Sequence, residues 1–239
     1  MMRTVVLSDC HIGSPEANVA QLNRFLLTLE CDKLMLAGDF FDLWDMSADK
    51  IRRQYAGTLD LVKKLLNKGT AIEYLLGNHD EDYLKTPVMA PDELPVVAEI
   101  KFTVPDGRRI TIVHGHEFDF VYRKHHFLYK ALAWANRTSA KITGLSLKSL
   151  GRRTCTDLEG AEYGKAIERI HGDARKAHAG KADVLIMGHT HSPEHLSNEG
   201  LVEFYNTGDW KIHNSYIVIE DDRISLRHLG CDTQKTWCK

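Results

Sequence analysis

The chain has 239 residues, of which 43% are hydrophobic and 27% are charged, and its formal net charge at pH 7 is -2. This composition is typical of a globular protein and excludes a disordered or fibrous chain. The charge gives no general attraction to nucleic acid, so an anionic substrate must be held by local groups and no long nucleic acid is expected as a partner. The length suits a single domain over residues 1–239 with at most a modest insertion.

The five cysteines are scattered along the chain and lack the C-x-x-C spacing of zinc ribbons and redox motifs. This usage favours a reduced, cytoplasmic setting. The N-terminal residues contain no apolar stretch of signal-peptide length, and no segment is long enough to cross a bilayer. We therefore expect a protein that is neither exported nor membrane-spanning.

Short aliphatic runs alternate with helix-compatible stretches along the chain. The predicted strands are Thr4–Leu7, Lys33–Ala37, Ala71–Leu76, Arg109–Val113 and Asp183–Met187, and the predicted helices are Asn18–Glu30, Ala48–Asn67 and Leu158–His178. Residues Tyr216–Glu220 and Arg223–His228 predict a closing β-hairpin. This order predicts an α/β layered protein in which the polar clusters that follow the strands converge.

The segment Phe118–Arg153 departs from this alternation because it mixes large apolar residues with several cations. It predicts a helical insertion, for which two interpretations stay open. The insertion is either a helical pair that covers a sheet edge, or a lid that admits an apolar substrate tail while its cations hold phosphate.

Carboxylate and imidazole side chains follow the first two strands. Because strand side chains alternate between faces, Asp9 and His11 are expected to point the same way and share a metal. After the second strand, Gly38 permits close backbone approach, and the two oxygens of Asp39 can bridge two cations. Asp42 is either a cap near a helix or an acceptor that orients a histidine.

The third strand ends in Leu76-Gly77-Asn78-His79-Asp80. Asn78 offers a neutral oxygen ligand, and His79 and Asp80 are the candidate catalytic residues. We expect His79 to give a proton to the leaving oxygen, while Asp80 accepts a hydrogen bond that fixes the His79 tautomer and raises its basicity.

The fourth and fifth strands end in pairs of histidines spaced two apart, His114 with His116 and His189 with His191. His116 is left without a ligand role. The candidate metal ligands are Asp9, His11, Asp39, Asn78, His114, His189 and His191. So many metal-binding side chains at strand ends predict one converging site.

This mixture of nitrogen and carboxylate ligands suits manganese, iron or zinc better than calcium or magnesium, and manganese is our first expectation. Two divalent ions roughly 3.5 Å apart would bind phosphate oxygens and lower the pKa of a bridging water, which then attacks in line as a metal-bridging hydroxide. The reaction predicted is hydrolysis of a phosphodiester or diphosphate bond.

In this order and spacing, the motifs D-x-H, G-D-x-x-D, G-N-H-D, H-G-H and G-H-x-H resemble those of the calcineurin-like metallophosphoesterase superfamily. The resemblance implies an αββα sandwich, in which two mixed β-sheets are flanked by helices. It also implies one metal bound by Asp9, His11, Asp39 and His191, and a second bound by Asp39, Asn78, His114 and His189.

Within that superfamily, the stretches His114–Asp119 and Asn206–Trp210 look like the UDP-2,3-diacylglucosamine pyrophosphohydrolase group. This implies a small phosphorylated substrate with a lipid tail, and peripheral contact with the inner membrane. The well-known members carry Arg where this chain has His79, so another diphosphate or phosphodiester substrate fits about as well.

Two further alternatives and the oligomeric state stay open. One alternative is a phosphodiesterase that acts on small cyclic nucleotides or dinucleotides, because the same two-metal core would serve it unchanged. The other is a non-catalytic scaffold with this fold, against which the complete ligand set argues.

Overall fold

The computed structural model describes residues 2–125, 127, 130–131, 135, 161–197 and 200–230. The strands in chain order are β1 (Arg3–Leu7), β2 (Lys33–Ala37), β3 (Ala71–Leu75), β4 (Val96–Val97), β5 (Ile100–Thr103), β6 (Arg109–Val113), β7 (Val184–Met187), β8 (Glu194–Leu196), β9 (Glu203–Asn206), β10 (Ser215–Glu220) and β11 (Arg223–His228). The helices are α1 (Val19–Thr28), α2 (Ala48–Gln54), α3 (Ala56–Asn67) and α4 (Ala161–His178), and His116–Phe118 form a 3₁₀ turn.

The strands form two mixed sheets. The six-stranded sheet has the order β11-β10-β1-β2-β3-β4, in which β1 to β4 are parallel, β10 pairs antiparallel with β1, and β11 pairs antiparallel with β10. The five-stranded sheet has the order β5-β6-β7-β9-β8, with β6, β7 and β9 parallel. The carboxyl ends of β1, β2 and β3 and those of β6 and β7 carry the candidate site residues.

Alternating side chains on the central strands separate the layers. In β2, Leu34 and Leu36 pack against α1 and α3, whereas Met35 and Ala37 pack against the second sheet. In the second sheet, Leu185 of β7 faces the opposite way, toward α4. Both faces of each sheet are therefore covered, which explains the continuous aliphatic runs of the strands. The expected αββα sandwich is confirmed.

The predicted strands match observed strands to within one residue at each end. The single helix expected over Ala48–Asn67 was wrong, because Tyr55 leaves helical geometry at φ -115° and ψ 24° and separates α2 from α3. Gly57 lies just after this break, and glycine weakens helix continuity there. Strands β4, β5, β8 and β9 were not predicted, because they are only two to four residues long.

Of the insertion predicted over Phe118–Arg153, the structure describes a 3₁₀ turn up to Phe118 and helical residues at 120–125, 127, 130–131 and 135. The remainder lies outside the described residues, as do residues 158–160 of the predicted last helix, so the two interpretations of the insertion stay predictions. Lys130 contacts Glu81 at 2.6 Å, which ties the insertion to the loop after β3. None of the helices in the described ranges has the length and apolar character needed to cross a membrane.

Candidate active site

The site residues lie in the loops that follow the strands, and several of them have left-handed backbone geometry. The φ angles are 51° at Asp9, 47° at His11, 52° at Asp39, 65° at His189 and 55° at His191. Non-glycine residues rarely adopt positive φ, and each such residue costs on the order of 1–3 kcal/mol. The surrounding structure must hold these side chains in place, which is typical of functional sites.

The reason given above for the convergence of Asp9 and His11 was wrong. Strand β1 ends at Leu7, so strand alternation does not direct these two side chains. Instead the backbone N–H groups of Asp9 and His11 donate to the carbonyl oxygens of Gly38 and Asp39 at 3.1 and 2.9 Å. Left-handed turns and these cross-loop bonds bring the side chains together.

A first group of ligand atoms surrounds Oδ1 of Asp9. Nε2 of His191 lies 3.2 Å from that oxygen, and Nε2 of His11 lies 3.7 Å from it. The two imidazole nitrogens are 3.2 Å apart. Oδ2 of Asp39 also faces this group, 3.7 Å from Nε2 of His11.

A second group of ligand atoms surrounds Oδ1 of Asn78. Nε2 of His114 and Nδ1 of His189 each lie 3.1 Å from this oxygen. Oδ2 of Asp39 is 3.4 Å from Nε2 of His114. The same carboxylate oxygen of Asp39 therefore faces both groups.

Burial and opposite charges set the ionisation of these groups. Burial opposes charge on Asp9, but the imidazoles of His191 and His11 outweigh it and hold the Asp9 pKa well below its usual range. Burial also opposes charge on Asp39, where His114 and His79 lower the pKa. Burial likewise opposes charge on the imidazoles, yet Asp42 and Asp9 raise the pKa of His11 to about 9, and Asp39 raises that of His114 to about 10. The ionised carboxylates of Asp9 and Asp39 therefore favour positive charge in the space between the two ligand groups.

Three of the candidate histidine ligands have a partner on the ring nitrogen that points away from the ligand groups. Nδ1 of His114 donates to the carbonyl oxygen of Ala37 at 3.0 Å, and Nδ1 of His11 lies 3.4 Å from Oδ2 of Asp42. For His189, Nε2 lies 3.2 Å from Oδ2 of Asp119. Such outer partners fix the tautomer and ring orientation of histidines that bind metals.

Asp42, and not Asp80, is the carboxylate that faces His79. Nδ1 of His79 lies 3.2 Å from Oδ2 of Asp42. The expectation that Asp80 accepts a hydrogen bond from His79 was therefore wrong. Both interpretations of Asp42 stay open: its Oδ2 faces the two histidines without a hydrogen bond, and its Oδ1 accepts the backbone N–H of Asp45 at 2.9 Å in a local turn.

Asp80 is instead a buried acceptor for the backbone of the site. Its carboxylate accepts the backbone N–H groups of Phe40 at 2.9 Å and Gly77 at 2.6 Å, and the Tyr74 hydroxyl. Burial, followed by the nearby charge of Asp39, raises the pKa of Asp80 to about 7. Its contacts join the loop after β2 to the loop after β3, so its role in the structure is to hold these loops together.

Aromatic side chains form the wall beside His79. The Trp44 ring lies 4.2 Å from that of His79 between centroids and 6.3 Å from that of Tyr122. His116 lies 5.4 Å from His114 and 5.7 Å from Tyr122 between ring centroids. His116 therefore borders the site beside His114 and Tyr122.

Glycines allow the loops to approach one another closely. Gly38 has φ +89°, and a Cβ on it would lie 2.5 Å from Cγ of His114, so the predicted close approach at Gly38 is confirmed. A Cβ on Gly77 would lie 2.6 Å from the backbone nitrogen of Asp39. Real Cβ atoms do not reach such distances, so both positions require glycine.

The arrangement fits divalent cations on the chemistry of its own donors. Within the described part of the chain, Oδ1 of Asp9 is buried and has no hydrogen-bond donor, although two imidazoles face it. Three sets of ligand atoms each lie within 4.8 Å of one another: Asp9, His11 and His191; His11, Asp39 and His79; and Asp9, Asp39 and His114. Mixed carboxylate and imidazole donors are suited to borderline divalent metals.

Two mixed sheets that direct carboxylates and histidines from their strand ends into one buried cluster define a metallophosphoesterase. Residues 2–193 match the family model described as calcineurin-like phosphoesterase, and the chain belongs to that family. It is a metal-dependent phosphoester hydrolase.

Two relatives cover nearly the whole chain. One, from Psychromonas ingrahamii, is named UDP-2,3-diacylglucosamine hydrolase and is 26% identical over 255 residues, covering 94% of this chain and 96% of the relative. Another of the same name, from Neisseria meningitidis serogroup A, is 28% identical over 241 residues, covering 89% and 91%. The chain is thus similar to these hydrolases as a divergent member.

Among solved structures, the phosphoesterase Yfce from E. coli resembles this chain with a TM-score of 0.50 and 17% identity. The likeness covers 96% of this chain and 94% of that protein. At this identity it supports the fold and carries no argument about the substrate.

Proposed function

We propose that the chain hydrolyses a phosphodiester or diphosphate bond at a centre of two divalent metal ions. The ligands proposed for one metal are Asp9, His11, Asp39 and His191, and those proposed for the other are Asp39, Asn78, His114 and His189. The observation that carries the proposal is that Oδ2 of Asp39 faces Nε2 of His11 at 3.7 Å and Nε2 of His114 at 3.4 Å. A carboxylate in that position can bridge two cations.

Manganese is the metal we propose, with iron and zinc as alternatives, because the ligands combine imidazole nitrogens with carboxylate and amide oxygens. When bound, such a pair of ions neutralises phosphate oxygens and activates a water for in-line attack. The protein contributes a buried, fixed set of donors, so little reorganisation is needed during the reaction.

His79 is the group we propose for proton donation to the leaving oxygen. Its side chain is 19% exposed, so it reaches the open side of the site, whereas Asp42 is buried. Burial opposes charge on Asp42, but His79 and His11 hold its pKa well below its usual range. An ionised Asp42 whose Oδ2 lies 3.2 Å from Nδ1 of His79 favours a proton on that nitrogen, which would leave Nε2 to face the leaving oxygen.

The substrate class we propose is a lipid-linked nucleotide diphosphate such as UDP-2,3-diacylglucosamine. The names of the relatives support it. Support also comes from three apolar side chains after Asp119: Phe120 is 57% exposed, Val121 52% and Phe127 86%. Exposed apolar side chains beside the site suit an acyl tail, and they suit a cytoplasmic protein that touches a membrane peripherally.

The test is manganese-dependent hydrolysis of UDP-2,3-diacylglucosamine in mixed micelles. Bis-p-nitrophenyl phosphate reports the two-metal chemistry, and UDP-N-acetylglucosamine is the matched substrate without acyl chains. The Asp39→Ala variant, which lacks the proposed bridging ligand, is the blank and should bind less metal.

Three outcomes are informative. A kcat/KM for the lipid nucleotide far above that for UDP-N-acetylglucosamine would support the lipid substrate. Cleavage of the generic diester alone would keep the two-metal chemistry and direct the search to other diphosphates or small nucleotides. Full activity of Asp39→Ala would contradict the proposed centre.

A further inference from the structure

The carboxylate of Asp119 makes contacts in two directions. Oδ2 lies 3.2 Å from Nε2 of His189, and Oδ1 accepts the backbone N–H of Tyr122 at 2.9 Å. The backbone oxygen of Asp119 accepts the N–H of Arg123 at 2.9 Å, which closes the first turn of helical residues 120–125. Asp119 is therefore the N-cap of this helix.

His189 also differs from the other candidate histidine ligands. His11, His114 and His191 direct Nε2 toward the ligand groups, whereas His189 directs Nδ1. Imidazole binds a metal through a nitrogen without a proton. An ionised carboxylate can only accept hydrogen bonds, so Asp119 keeps the His189 proton on Nε2 and leaves Nδ1 free for a cation.

We propose that Asp119 is a positioning residue that couples the first turn of the insertion to the metal centre. Oδ1 caps the helical turn by accepting the N–H of Tyr122, and Oδ2 keeps the proton of His189 on Nε2. The inference rests on the proposed function, in which His189 is a metal ligand. Coupling between two events is reciprocal, so metal at His189 should stabilise the turn and a formed turn should strengthen metal binding.

The packing around Asp119 supports this coupling. The Tyr122 ring is 8% exposed and lies 6.2 Å from the His189 ring between centroids. Phe120 and Val121, which are exposed, lie on the same turn. Holding this turn against His189 therefore sets where the apolar side chains stand relative to the proposed metals.

Two substitutions keep the helix cap and disturb only the contact of Asp119 with His189. Asp119→Asn keeps an oxygen that can cap the helix, but its amide N–H group favours a proton on the metal-facing Nδ1 of His189. Asp119→Ser also caps well, but its side chain is too short to reach His189. Both variants should keep the fold and lose about 10–100-fold in metal affinity, as expected when an outer partner of a histidine ligand is removed.

The matched control is Asp173→Asn, which removes a half-exposed carboxylate of α4 that lies 3.9 Å from Lys176. The full-length proteins are dialysed against graded chelator in the presence of Mn²⁺, and the bound manganese is measured by elemental analysis. Hydrogen exchange of a peptide that covers residues 119–125 is followed with and without Mn²⁺.

We expect the wild-type protein and Asp173→Asn to retain two manganese ions at a chelator concentration where Asp119→Asn and Asp119→Ser lose one. Manganese should slow exchange of the Tyr122 and Arg123 amides in the wild type but not in Asp119→Ser. Wild-type affinity in both Asp119 variants, or exchange that does not respond to manganese, would overturn the coupling. If His189→Ala bound as much manganese as the wild type, the proposed metal site itself would fail.

Discussion

Oδ2 of Asp42 lies 3.2 Å from Nδ1 of His79 and 3.4 Å from Nδ1 of His11. One buried carboxylate therefore faces two imidazoles for which we propose different tasks, metal binding for His11 and proton donation for His79. The rings of the two histidines are 4.6 Å apart and nearly perpendicular. This arrangement joins the proposed acid to the metal ligands through a single residue.

Replacing His79 with alanine should lower kcat, and the loss should be larger for a substrate with a poor leaving group than for one with a good leaving group. A poor leaving group such as an alkoxide needs a proton, so its kcat should fall by about 10²–10⁴-fold. The p-nitrophenolate of bis-p-nitrophenyl phosphate leaves without a proton, so its kcat should fall much less. Steady-state kinetics with a substrate that has an alkoxide leaving group and with bis-p-nitrophenyl phosphate, together with elemental analysis of bound metal, check the prediction.

The matched control for His79→Ala is His116→Ala, because His116 also borders the site but lies outside both ligand groups. It should keep both metals and turnover with either leaving group. His79 does lie within 4.8 Å of ligand atoms of His11 and Asp39. A metal-free His79→Ala variant would therefore make His79 a ligand and not a proton donor.

Asp80→Ala should destabilise the protein. The substitution leaves the N–H groups of Phe40 and Gly77 and the hydroxyl of Tyr74 buried without their acceptor. An unsatisfied buried group costs about 1–3 kcal/mol, so a loss of at least about 3 kcal/mol in the free energy of unfolding is expected. Urea denaturation measures it, with the exposed Asp92→Ala as control. Unchanged stability with lost turnover would return Asp80 to a catalytic role.

The candidate site residues could be picked out in the sequence because each follows a strand that is recognisable on its own, and the structure brings their side chains together. Leu34 to Ala37 are apolar since both faces of the sheet are covered, and Asp39 follows them after a single glycine, Gly38. Order along the chain does not say which carboxylate faces which imidazole. Asp80 is the neighbour of His79 in sequence, but the loop directs it to buried N–H groups, and Asp42 faces His79 instead.

The left-handed conformations and the outer partners were also beyond the sequence pattern. Asp and His adopt positive φ more readily than most residues, but the sequence does not say which of them will. At Asp9 the backbone bonds to Gly38 and Trp210 in other loops accompany it. Asp119 stood in the stretch His114–Asp119 that led to the family resemblance, but its contact with His189 spans 70 residues. Short strands such as β4 and β8 depend on partners rather than on their own apolar content.

Gly77→Ala should disturb the metal centre and spare the rest of the fold. The added Cβ would lie 2.6 Å from the backbone nitrogen of Asp39, so Asp39 must move away from both ligand groups. Bound manganese should fall below two ions per chain by elemental analysis. The control is Gly164→Ala in α4, where the Cβ would meet nothing within 4 Å. It should keep both metals and gain about 0.5–1 kcal/mol of helix stability. Two metals in Gly77→Ala would contradict the prediction.

Lys211→Met should weaken substrate binding more than turnover. The Lys211 side chain is only 20% exposed. Burial and the neighbouring carboxylates act most strongly on the pKa of His11 and of His191, but the Lys211 cation also acts on both, which places it near the first ligand group. A cation there can contact a substrate phosphate oxygen. The KM should rise about tenfold, or about 1.4 kcal/mol, with little change in kcat. The control Lys101→Met removes a half-exposed cation of β5 and should change neither constant. An unchanged KM in Lys211→Met would exclude the contact.

Binding of manganese to the metal-free protein should release protons. His11 and His114, with pKa values raised to about 9 and 10, carry protons at pH 7.5, whereas Asp9 and Asp39, with lowered pKa values, do not. A histidine ligand must be neutral, so about two protons per chain should be released and the apparent affinity for manganese should rise with pH up to about 9–10.

Without metal, the raised pKa values of His11 and His114 contribute to the free energy of unfolding. This contribution is complete below pH 6.5 and is lost as pH rises through 9–10. Potentiometric titration and thermal unfolding measure both effects, and binding without proton release would contradict them.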